Sequence, residues 1–511
     1  MSTLAESIKE KPALGWGLLI AVMVAVFLLG LLAASVTERR AEIASLYDKK
    51  VEITGIEPKS AIWGINYPRE YATWKKTAEM DFKSKYLGNV VEDALETHPN
   101  MVVLWAGYAF SRDYNAPRGH MYTIADMRAT LRVGAPGVPD GKEMQPGTCW
   151  TCKSPDVPRM MEKVGLDNYY KAKWSEWGSE IVNPLGCADC HDPKTMNLTI
   201  TRPALVEVFA RNGRDVKNAS PQEMRSLVCA QCHVEYYFQG ENKHLTFQWD
   251  KGTFPPNEVK ALVTVEEIEA YYDDPSVNFK DFVNTLSKTP IIKAQHPGYE
   301  TFMLGTHGQR GVSCADCHMP YISEGGVKYT DHQIMSPLKK VASTCQTCHR
   351  DSEANLVKYV YEKQDKVQEI RQRVEEELAR AHIMGKFAWD AGATAEEMAP
   401  IQKVLRAAQW RWDFGVAAHG GPFHATAETE RILAHALDKS MQAQLMLQKL
   451  LIAKGDADYA ARIPDLAHWT KAEAQKFIGL NMEALRAPKA EFMKTIVPQW
   501  DAEAKQAGRL Q

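Results

Sequence analysis

The amino-acid sequence predicts a mainly α-helical protein with a loop-rich first part, long C-terminal helices and few short strands. From about 90 to 350, Gly and Pro interrupt short segments, as in GAPGVPDGKEMQPG (134–147), and apolar and polar residues rarely alternate. Beyond 352 apolar residues recur every three to four positions with charges between them, which is the pattern of an amphipathic helix. These positions are Leu356, Val360, Val367, Ile370, Val374 and Ala381.

The C-terminal pattern predicts four helices, over 352–385, 394–418, 426–454 and 470–505. Gly420-Gly421-Pro422 and Ile463-Pro464 separate the later ones. Long antiparallel helices of this kind usually pack as a bundle. Their apolar seam can serve internal packing or a dimer interface.

The composition is that of a globular protein. The chain has 511 residues, 45% hydrophobic and 24% charged, so it can bury a core and is not intrinsically disordered. Its 61 Lys and Arg against 64 Asp and Glu give a net charge of −3. This balance provides no basic field, so we expect no nucleic-acid partner.

An uncharged segment, residues 12–37, lies near the N-terminus. As a helix it would be about 39 Å long, which is enough to cross a bilayer. It is either a signal peptide, with a cleavage site of small residues at Ala33-Ala34-Ser35, or an uncleaved membrane anchor. Its length favours the anchor. Both interpretations predict a periplasmic protein, held at the inner membrane if the segment is retained.

All ten cysteines fall in C-x-x-C pairs, and four pairs are followed at once by His. This is the attachment motif of c-type haem, in which the thiols bind the haem vinyl groups and the His binds the iron. A zinc site would need pairs to converge and would not explain the His. The four motifs are Cys187/Cys190/His191, Cys229/Cys232/His233, Cys314/Cys317/His318 and Cys345/Cys348/His349.

The fifth pair, Cys149 and Cys152, is followed by Lys153. It is either a structural or redox dithiol or a fifth haem whose iron is bound by the Lys153 amine. A lysine binds iron only when deprotonated, against a reference pKa of about 10.4, and burial and the charge of the metal favour this. One replaced ligand among five indicates a haem with a different task. No thiol then remains for a disulfide.

One CxxCK followed by four CxxCH motifs resembles the pentahaem cytochrome c nitrite reductases. The similarity extends over most of residues 100–505, through WAGYAFSRDYN (105–115), RGH (118–120), LRVGAP (131–136), CWTCKSPDVPR (149–159), CHVEYYF (232–238), LSKTPIIKAQHPGYE (286–300), YTDHQ (329–333), QWRWD (409–413) and IGLNME (478–483). The resemblance implies a multihaem cytochrome c fold and the six-electron reduction of nitrite to ammonium, with hydroxylamine and sulfite as side substrates. It also implies five haem c groups, one Ca²⁺, a homodimer and a membrane-bound tetrahaem quinol dehydrogenase as electron donor.

The chain then divides into three regions. Residues 1–40 are the signal peptide or anchor, residues 41–350 the pentahaem catalytic region, and residues 351–511 a helical region that packs on it and supplies the dimer interface. Because packed porphyrins would form much of the interior, we expect 90–350 to need little side-chain core.

The resemblance implies a distal ligand for each haem that has a proximal His. His120 serves the haem on Cys229/Cys232, His332 that on Cys187/Cys190, His307 that on Cys345/Cys348 and His424 that on Cys314/Cys317. His419 competes for the last position. Surface or core roles are expected for His98, His244, His382, His435 and His468.

At the lysine-ligated haem, the resemblance implies a pocket of Arg132, Tyr236 and His296. A guanidinium supplies a fixed positive charge for an anion, an imidazole can donate protons near neutral pH, and a phenol can hydrogen-bond intermediates. The implied calcium ligands are the Glu235 carboxylate, the Gln295 amide and the main-chain carbonyls of Tyr236 and Lys293, all hard oxygen donors.

Two other classes remain open. A pure electron carrier would have His at every haem and no anion-binding set. Another CxxCK reductase could act mainly on hydroxylamine, sulfite or tetrathionate, although relatives of that kind often carry more haems.

Overall fold

The structure is a computed structural model that describes residue 9 and residues 11–46, 49–86, 88–249 and 264–510. Helices dominate, as the sequence predicts. Their bounds are α1 Pro12–Leu46, α2 Ser60–Asn66, α3 Pro68–Lys75, α4 Ala94–Thr97, α5 Asn100–Leu104, α6 Thr123–Ala129, α7 Asp156–Val164, α8 Leu166–Lys171, α9 Cys187–Cys190, α10 Pro203–Arg211, α11 Pro221–Ala230, α12 Val265–Asp273, α13 Gly298–Leu304, α14 Thr306–Gln309, α15 Cys314–His318, α16 Val341–Thr344, α17 Glu353–Asp390, α18 Ala395–Ala417, α19 Gly421–His424, α20 Thr426–Ala453, α21 Lys471–Phe477 and α22 Met482–Gln506.

The strands of the described residues form three antiparallel hairpins, so the prediction of few short strands is confirmed. Tyr237–Gln239 pairs with His244–Thr246, Phe282–Val283 with Pro290–Ile291, and Tyr321–Glu324 with Val327–Thr330. Single 3-10 turns fill many of the connections and carry functional residues, among them Leu131–Val133 and Gly147–Trp150.

Three of the four predicted C-terminal helices are confirmed by α17, α18 and α20. The bounds of α18 and α20 agree within one residue, whereas α17 runs to Asp390, five residues beyond the prediction. Their starts are capped: Ser352 accepts the Asn355 amide hydrogen, and Thr394 and Glu397 form a capping box. The fourth prediction, 470–505, is wrong as one helix. Gly479, with a φ of +79°, ends α21, and Asn481 caps α22.

Helices α17, α18 and α20 pack together as the predicted bundle. Each contributes one apolar face to a buried cluster, which includes Leu378, Leu405 and Leu447. The outer face of α20 is different, since Met441, Leu445 and Ile452 are 54%, 59% and 55% exposed. The apolar seam therefore serves internal packing, and a second, unpartnered stripe lies outside it.

A second buried cluster belongs to the loop-rich part, where we expected little side-chain core; that expectation is wrong. Large aromatic side chains make this cluster possible between short elements, because each buries a large area. It includes Trp150, Trp174, Tyr169, Tyr170, Trp249, Tyr272 and Trp410. Helix α22 returns to this cluster and inserts Phe492 beside Trp174, with ring centroids 6.1 Å apart.

Helix α1 contains the uncharged segment. Within Pro12–Arg40, an 18-residue window has a mean hydropathy of 2.8 and is not buried against the rest of the chain. By length and composition, it is the one helix of the described residues able to cross a membrane. A signal peptide and an anchor both meet this criterion.

Candidate active site

Each attachment motif lies on one tight turn of helix, which brings its two thiols and the following residue to the same side. A backbone hydrogen bond runs from the His amide of the motif to the carbonyl of its first Cys. It is 3.0 Å long for His191 and Cys187, 2.8 Å for His233 and Cys229, and 2.9 Å for His349 and Cys345. Aspartates inside two motifs cap their own turns. Asp189 accepts from the Gly186 amide at 2.8 Å, and Asp316 from the Ser313 amide at 2.7 Å.

All ten cysteines are among the described residues, and none forms a disulfide. They lie close to one another in space. The Cys152 and Cys232 side chains are neighbours, and so are those of Cys229 and Cys314. Cys190 lies near Cys229, and Cys317 near Cys345 and Cys348, so the five motifs are contiguous, with the Cys229/Cys232 motif beside the one that carries Lys153.

Three proximal histidines face the distal partners that the resemblance implies. Ring centroids are 6.1 Å apart for His191 and His332, 6.2 Å for His318 and His424, and 6.2 Å for His349 and His307. Two imidazole nitrogens that share a metal, each about 2 Å from it, place their ring centres roughly 6 Å apart. The spacing fits an iron between each pair.

Hydrogen bonds to the ring nitrogens support the same fit. Nδ1 of His191, His318 and His332 lies 2.8 Å from the carbonyl oxygens of Met196, Met335 and Thr330, respectively. A carbonyl only accepts, so Nδ1 carries the proton and Nε2 keeps its lone pair for a metal. A cavity of about 440 Å³ lies at the first pair and is lined by Tyr67, Glu70, His191, Met196, Tyr321, Tyr329, Thr330 and His332.

The fourth proximal residue, His233, is in electrostatic contact with its implied partner His120. Burial, followed by the charge of His120, lowers the pKa of His233 to about 3. His419, the competitor for the haem on Cys314/Cys317, lies elsewhere. Its ring is 5.5 Å from that of His296, whereas His424 faces His318.

The loop that carries Lys153 is held by its backbone. The Lys153 amide donates to the Trp150 carbonyl at 2.9 Å, and the Lys153 carbonyl accepts from the Thr123 hydroxyl at 2.8 Å. Buried Arg202 clamps the residues on either side, donating from Nε to Thr151 at 2.6 Å and from Nη2 to Ser154 at 2.8 Å.

Arg202 also donates to the Asp189 carboxylate at 2.5 Å, which ties this loop to the Cys187/Cys190 motif. Burial raises the pKa of Asp189, and the charge of Arg202 opposes that rise. Sequence reasoning missed Arg202, because nothing in the spacing of the motifs points to an arginine twelve residues beyond Cys190.

The three predicted pocket residues each lie within electrostatic reach of the motif that carries Lys153. Burial raises the pKa of Cys149 to about 12, against the opposing charges of Lys153 and Arg132. Burial, followed by the charges of Cys152 and Cys149, raises the pKa of Tyr236 well above its usual value. Burial lowers the pKa of His296 well below its usual value, and the charges of His233, His419 and Lys153 add to this.

Arg132 is oriented by neighbours that sequence reasoning also missed. Its Nε donates to the Thr130 hydroxyl at 3.0 Å, and the Thr130 hydroxyl in turn donates to Asp113 at 2.8 Å. The guanidinium lies over the Phe110 ring, 4.5 Å from the centroid. Asp113 and Phe110 belong to the WAGYAFSRDYN stretch. Its resemblance to the nitrite reductase family was the one sequence signal that could have identified them.

The implied calcium ligands also converge. Buried Glu235 accepts hydrogen bonds from the Gln295 and His296 amides at 2.6 and 3.3 Å, and the Gln295 side chain donates to the Lys293 carbonyl at 3.0 Å. The Lys293 ammonium points away, to Asp413 at 2.7 Å. Burial, and secondarily the charge of Glu300, raises the pKa of Glu235 well above its usual value.

A divalent cation beside Glu235 would place a positive charge next to the buried carboxylate and so favour its ionised form. Among the described residues no three His, Cys, Asp or Glu side chains cluster as a metal site, so an ion here depends on amide and carbonyl oxygens. The Gln295 amide and Lys293 carbonyl are such donors, and the set fits a hard cation.

The remaining histidines have structural or surface environments, as expected. His382 is buried between Ser287 and Gln409, at 2.8 and 2.7 Å. Acidic partners bind three others: His98 pairs with Glu375 at 2.8 Å, His244 with Glu207 at 3.0 Å and His468 with Asp465 at 2.9 Å. His435 is exposed.

Known proteins resemble this chain over nearly its whole length. The model of the cytochrome c552 family matches residues 59–508. Cytochrome c-552 of Bacteroides thetaiotaomicron is 57% identical over 504 residues, covering 98% of this chain and 99% of that protein. That of Maridesulfovibrio salexigens is 44% identical over 505 residues, covering 96% and 95%. The solved catalytic subunit of the cytochrome c nitrite reductase from Desulfovibrio desulfuricans, described with two calcium sites, has a TM-score of 0.75 at 30% identity, covering 89% of this chain and 96% of that one.

Proposed function

This chain belongs to the cytochrome c552 family, and from that premise we propose that it is a periplasmic enzyme that reduces nitrite to ammonium at the Lys153 site. The observation that carries the proposal is the contrast among the five motifs. Four are followed by a His; three of these face a second His ring at 6.1 to 6.2 Å, and the fourth, His233, lies near His120. The fifth has Lys153 instead, with Arg132, Tyr236 and His296 near its motif.

Haem c bound by the ten cysteines would relay electrons from an external donor and would offer an iron to which nitrite can bind. Arg132 supplies what an anion needs, because its charge does not titrate. Thr130 occupies its Nε, which leaves the two terminal amino groups to bind nitrite oxygens. Stacking on Phe110 keeps the guanidinium plane fixed.

The reaction consumes eight protons with six electrons and releases ammonium and two water molecules. His296 is placed to deliver protons. Its ring lies near Lys153, and we place the proton destined for the substrate on one of its ring nitrogens. An anion bound beside it favours that protonation. The Tyr236 hydroxyl, protonated at all working pH values, donates a hydrogen bond to the departing oxygen.

Electrons reach this site through the contiguous motifs. The Cys229/Cys232 motif lies next to Cys152 and also next to Cys314, and Cys317 is near Cys345 and Cys348. We infer a membrane-bound tetrahaem quinol dehydrogenase as the donor, near which helix α1 would hold the enzyme. Intact-mass measurement of the purified protein distinguishes anchor from signal peptide, since loss of about 35 residues would contradict the anchor.

The decisive experiment replaces Lys153 with Met and measures ammonium formed from nitrite under anaerobic conditions with an artificial electron donor. We expect turnover to be lost while the haem content, counted as pyridine haemochrome, stays at five per chain. Lys171→Met, an exposed lysine of α8, is the matched control and should behave as wild type. Full nitrite turnover by Lys153→Met would overturn the assignment of the reaction to the Lys153 site, whereas a wild type that forms no ammonium from nitrite would favour a pure electron carrier.

Calcium completes the proposal, with one Ca²⁺ held by Glu235, Tyr236, Lys293 and Gln295. We expect one tightly bound Ca²⁺ per chain by elemental analysis, and its loss in Glu235→Gln together with reduced turnover, because the ion would join the segment that carries Tyr236 to the segment that carries His296. Two ions per chain, the number described for the Desulfovibrio desulfuricans enzyme, would contradict the single site.

A homodimer is proposed from the exposed stripe of Met441, Leu445 and Ile452 on α20. These positions share one helix face, and burying them against a second copy would remove apolar surface from water. Leu445→Asp should yield monomers by light scattering with its haem content intact. A dimer that survives this change would place the interface elsewhere.

A further inference from the structure

The last long helix of the chain reaches the segment that carries Arg132. Lys489 of α22 is buried, 6% exposed, and its ammonium donates to the Arg128 carbonyl at 2.6 Å and to the Gly134 carbonyl at 2.7 Å. Arg128 and Gly134 flank the turn Leu131–Val133 on its two sides. One amine therefore ties together both ends of the segment with Arg132 at its centre.

The middle of the same segment is held by Asp113. Its two carboxylate oxygens accept hydrogen bonds from the Thr130 hydroxyl and the Leu131 amide, both at 2.8 Å. Thr130 accepts in turn from the amide and Nε of Arg132, at 3.3 and 3.0 Å. The Asp113 side chain is nearly buried and lies 3.9 Å from Arg132 Nε.

Other contacts keep α22 in place. Arg128 donates to Asp501 at 2.7 Å, and Phe492 packs among Trp174 and Trp500. Gly134 has a φ of +76°, and a side chain there would collide with the Lys142 carbonyl. The backbone at Gly134 is therefore fixed. It cannot shift to compensate if the Lys489 amine is removed.

We propose that Lys489 and Asp113 are positioning residues that hold Arg132 where it binds the anionic substrate, so that a helix at the end of the chain sets the affinity for nitrite. This inference rests on the proposed function. Neither residue touches the substrate; each acts through the turn. Burial lowers the pKa of Lys489 to about 7, opposed by the charge of Asp113, and the amine keeps two or more N–H donors in either charge state.

The test compares Lys489→Met, which keeps the length of the side chain, with Lys494→Met, an exposed lysine of the same helix. We expect the KM for nitrite to rise about tenfold or more in Lys489→Met, while kcat changes less than about threefold. Hydroxylamine, largely uncharged above neutral pH, should keep its KM. Lys489→Arg, which can still donate to both carbonyls, should restore most of the nitrite affinity.

Asp113→Asn provides a second test. If Lys489→Met fails to incorporate haem, the result for Asp113→Asn alone decides whether the inference holds. It should also raise the KM for nitrite selectively. An unchanged KM in haem-replete variants would overturn the inference, and so would parallel losses for nitrite and hydroxylamine, which indicate general damage. Wild type that forms no ammonium from nitrite would instead overturn the proposed function.

Discussion

In the bundle of α17, α18 and α20, neighbouring elements meet through apolar side chains, whereas around Lys153 they meet through charged side chains that bind backbone carbonyls. Leu378, Leu405 and Leu447 fill the bundle interior. Near the active site, buried Arg202 and Lys489 each donate to two carbonyls of short irregular segments. A long helix satisfies its own backbone, but a loop that has to present a ligand at one point needs donors from elsewhere.

Removal of the Arg202 clamp should produce the largest effect. In Arg202→Met, Asp189 would stay buried without its partner and two carbonyls would lose their donor, which costs about 3–5 kcal/mol of unfolding free energy. Denaturant unfolding followed by far-UV circular dichroism measures this. Arg211→Met removes one hydrogen bond, to the Phe247 carbonyl, from an exposed arginine, and is the control. Equal losses in the two variants would contradict the clamp.

A cavity in the bundle should destabilise the protein by a different route. Leu447 is fully buried, and Leu447→Ala should cost about 3 kcal/mol from lost transfer energy and the cavity left behind. The KM for nitrite should stay at the wild-type value, because the bundle does not orient Arg132. Lys449→Ala, an exposed neighbour, controls for helix propensity. A changed KM in Leu447→Ala would mean that the two regions are coupled.

A buried ionic contact of α17, between Glu375, Arg371 and His98, sharpens the comparison. Burial would raise the pKa of Glu375, but the charges and hydrogen bonds of Arg371 and His98 lower it to about 2. A carboxylate with a depressed pKa stabilises the fold above its unfolded pKa of about 4.5 and loses that contribution as the pH falls towards 2. Wild type should therefore exceed Glu375→Gln by roughly 2–3 kcal/mol near neutral pH, with the gap closing in acid. A gap that is constant with pH would contradict the ion pair.

The smallest expected effect concerns a helix end. Thr394 and Glu397 form a capping box at the start of α18, and Thr394→Ala should cost about 1 kcal/mol. Thr495→Ala removes an exposed hydroxyl that bonds within its own helix and should cost less. If the two thermal unfolding midpoints fall equally, the cap contributes nothing of its own.

Local pattern was sufficient for the long helices and for the haem motifs. The apolar period and the breaks at Gly and Pro predicted α17, α18 and α20 closely, since a helix repeats one local geometry. The prediction for 470–505 failed at Gly479, where a left-handed residue and the Asn481 cap interrupt an otherwise periodic stretch. The core around Trp150 and Trp174 was missed because its aromatic residues come from distant short elements that share no period.

Cys spacing with an adjacent His or Lys predicted where covalent haem attaches, since thiols three residues apart on one turn face the same side. The resemblance supplied distal partners, and the structure places His332, His424 and His307 opposite His191, His318 and His349. No local rule could have paired residues so far apart in the chain.

The supports of the active site were decided only by tertiary structure. Asp113 accepts from the Leu131 amide 18 positions away, and Arg202 and Lys489 donate to carbonyls 51 and 361 positions away. The chemistry of a motif is local because covalent attachment needs only neighbours. The orientation of Arg132 and Lys153 depends on the whole fold, because a buried carbonyl accepts a donor from whichever element the fold brings beside it.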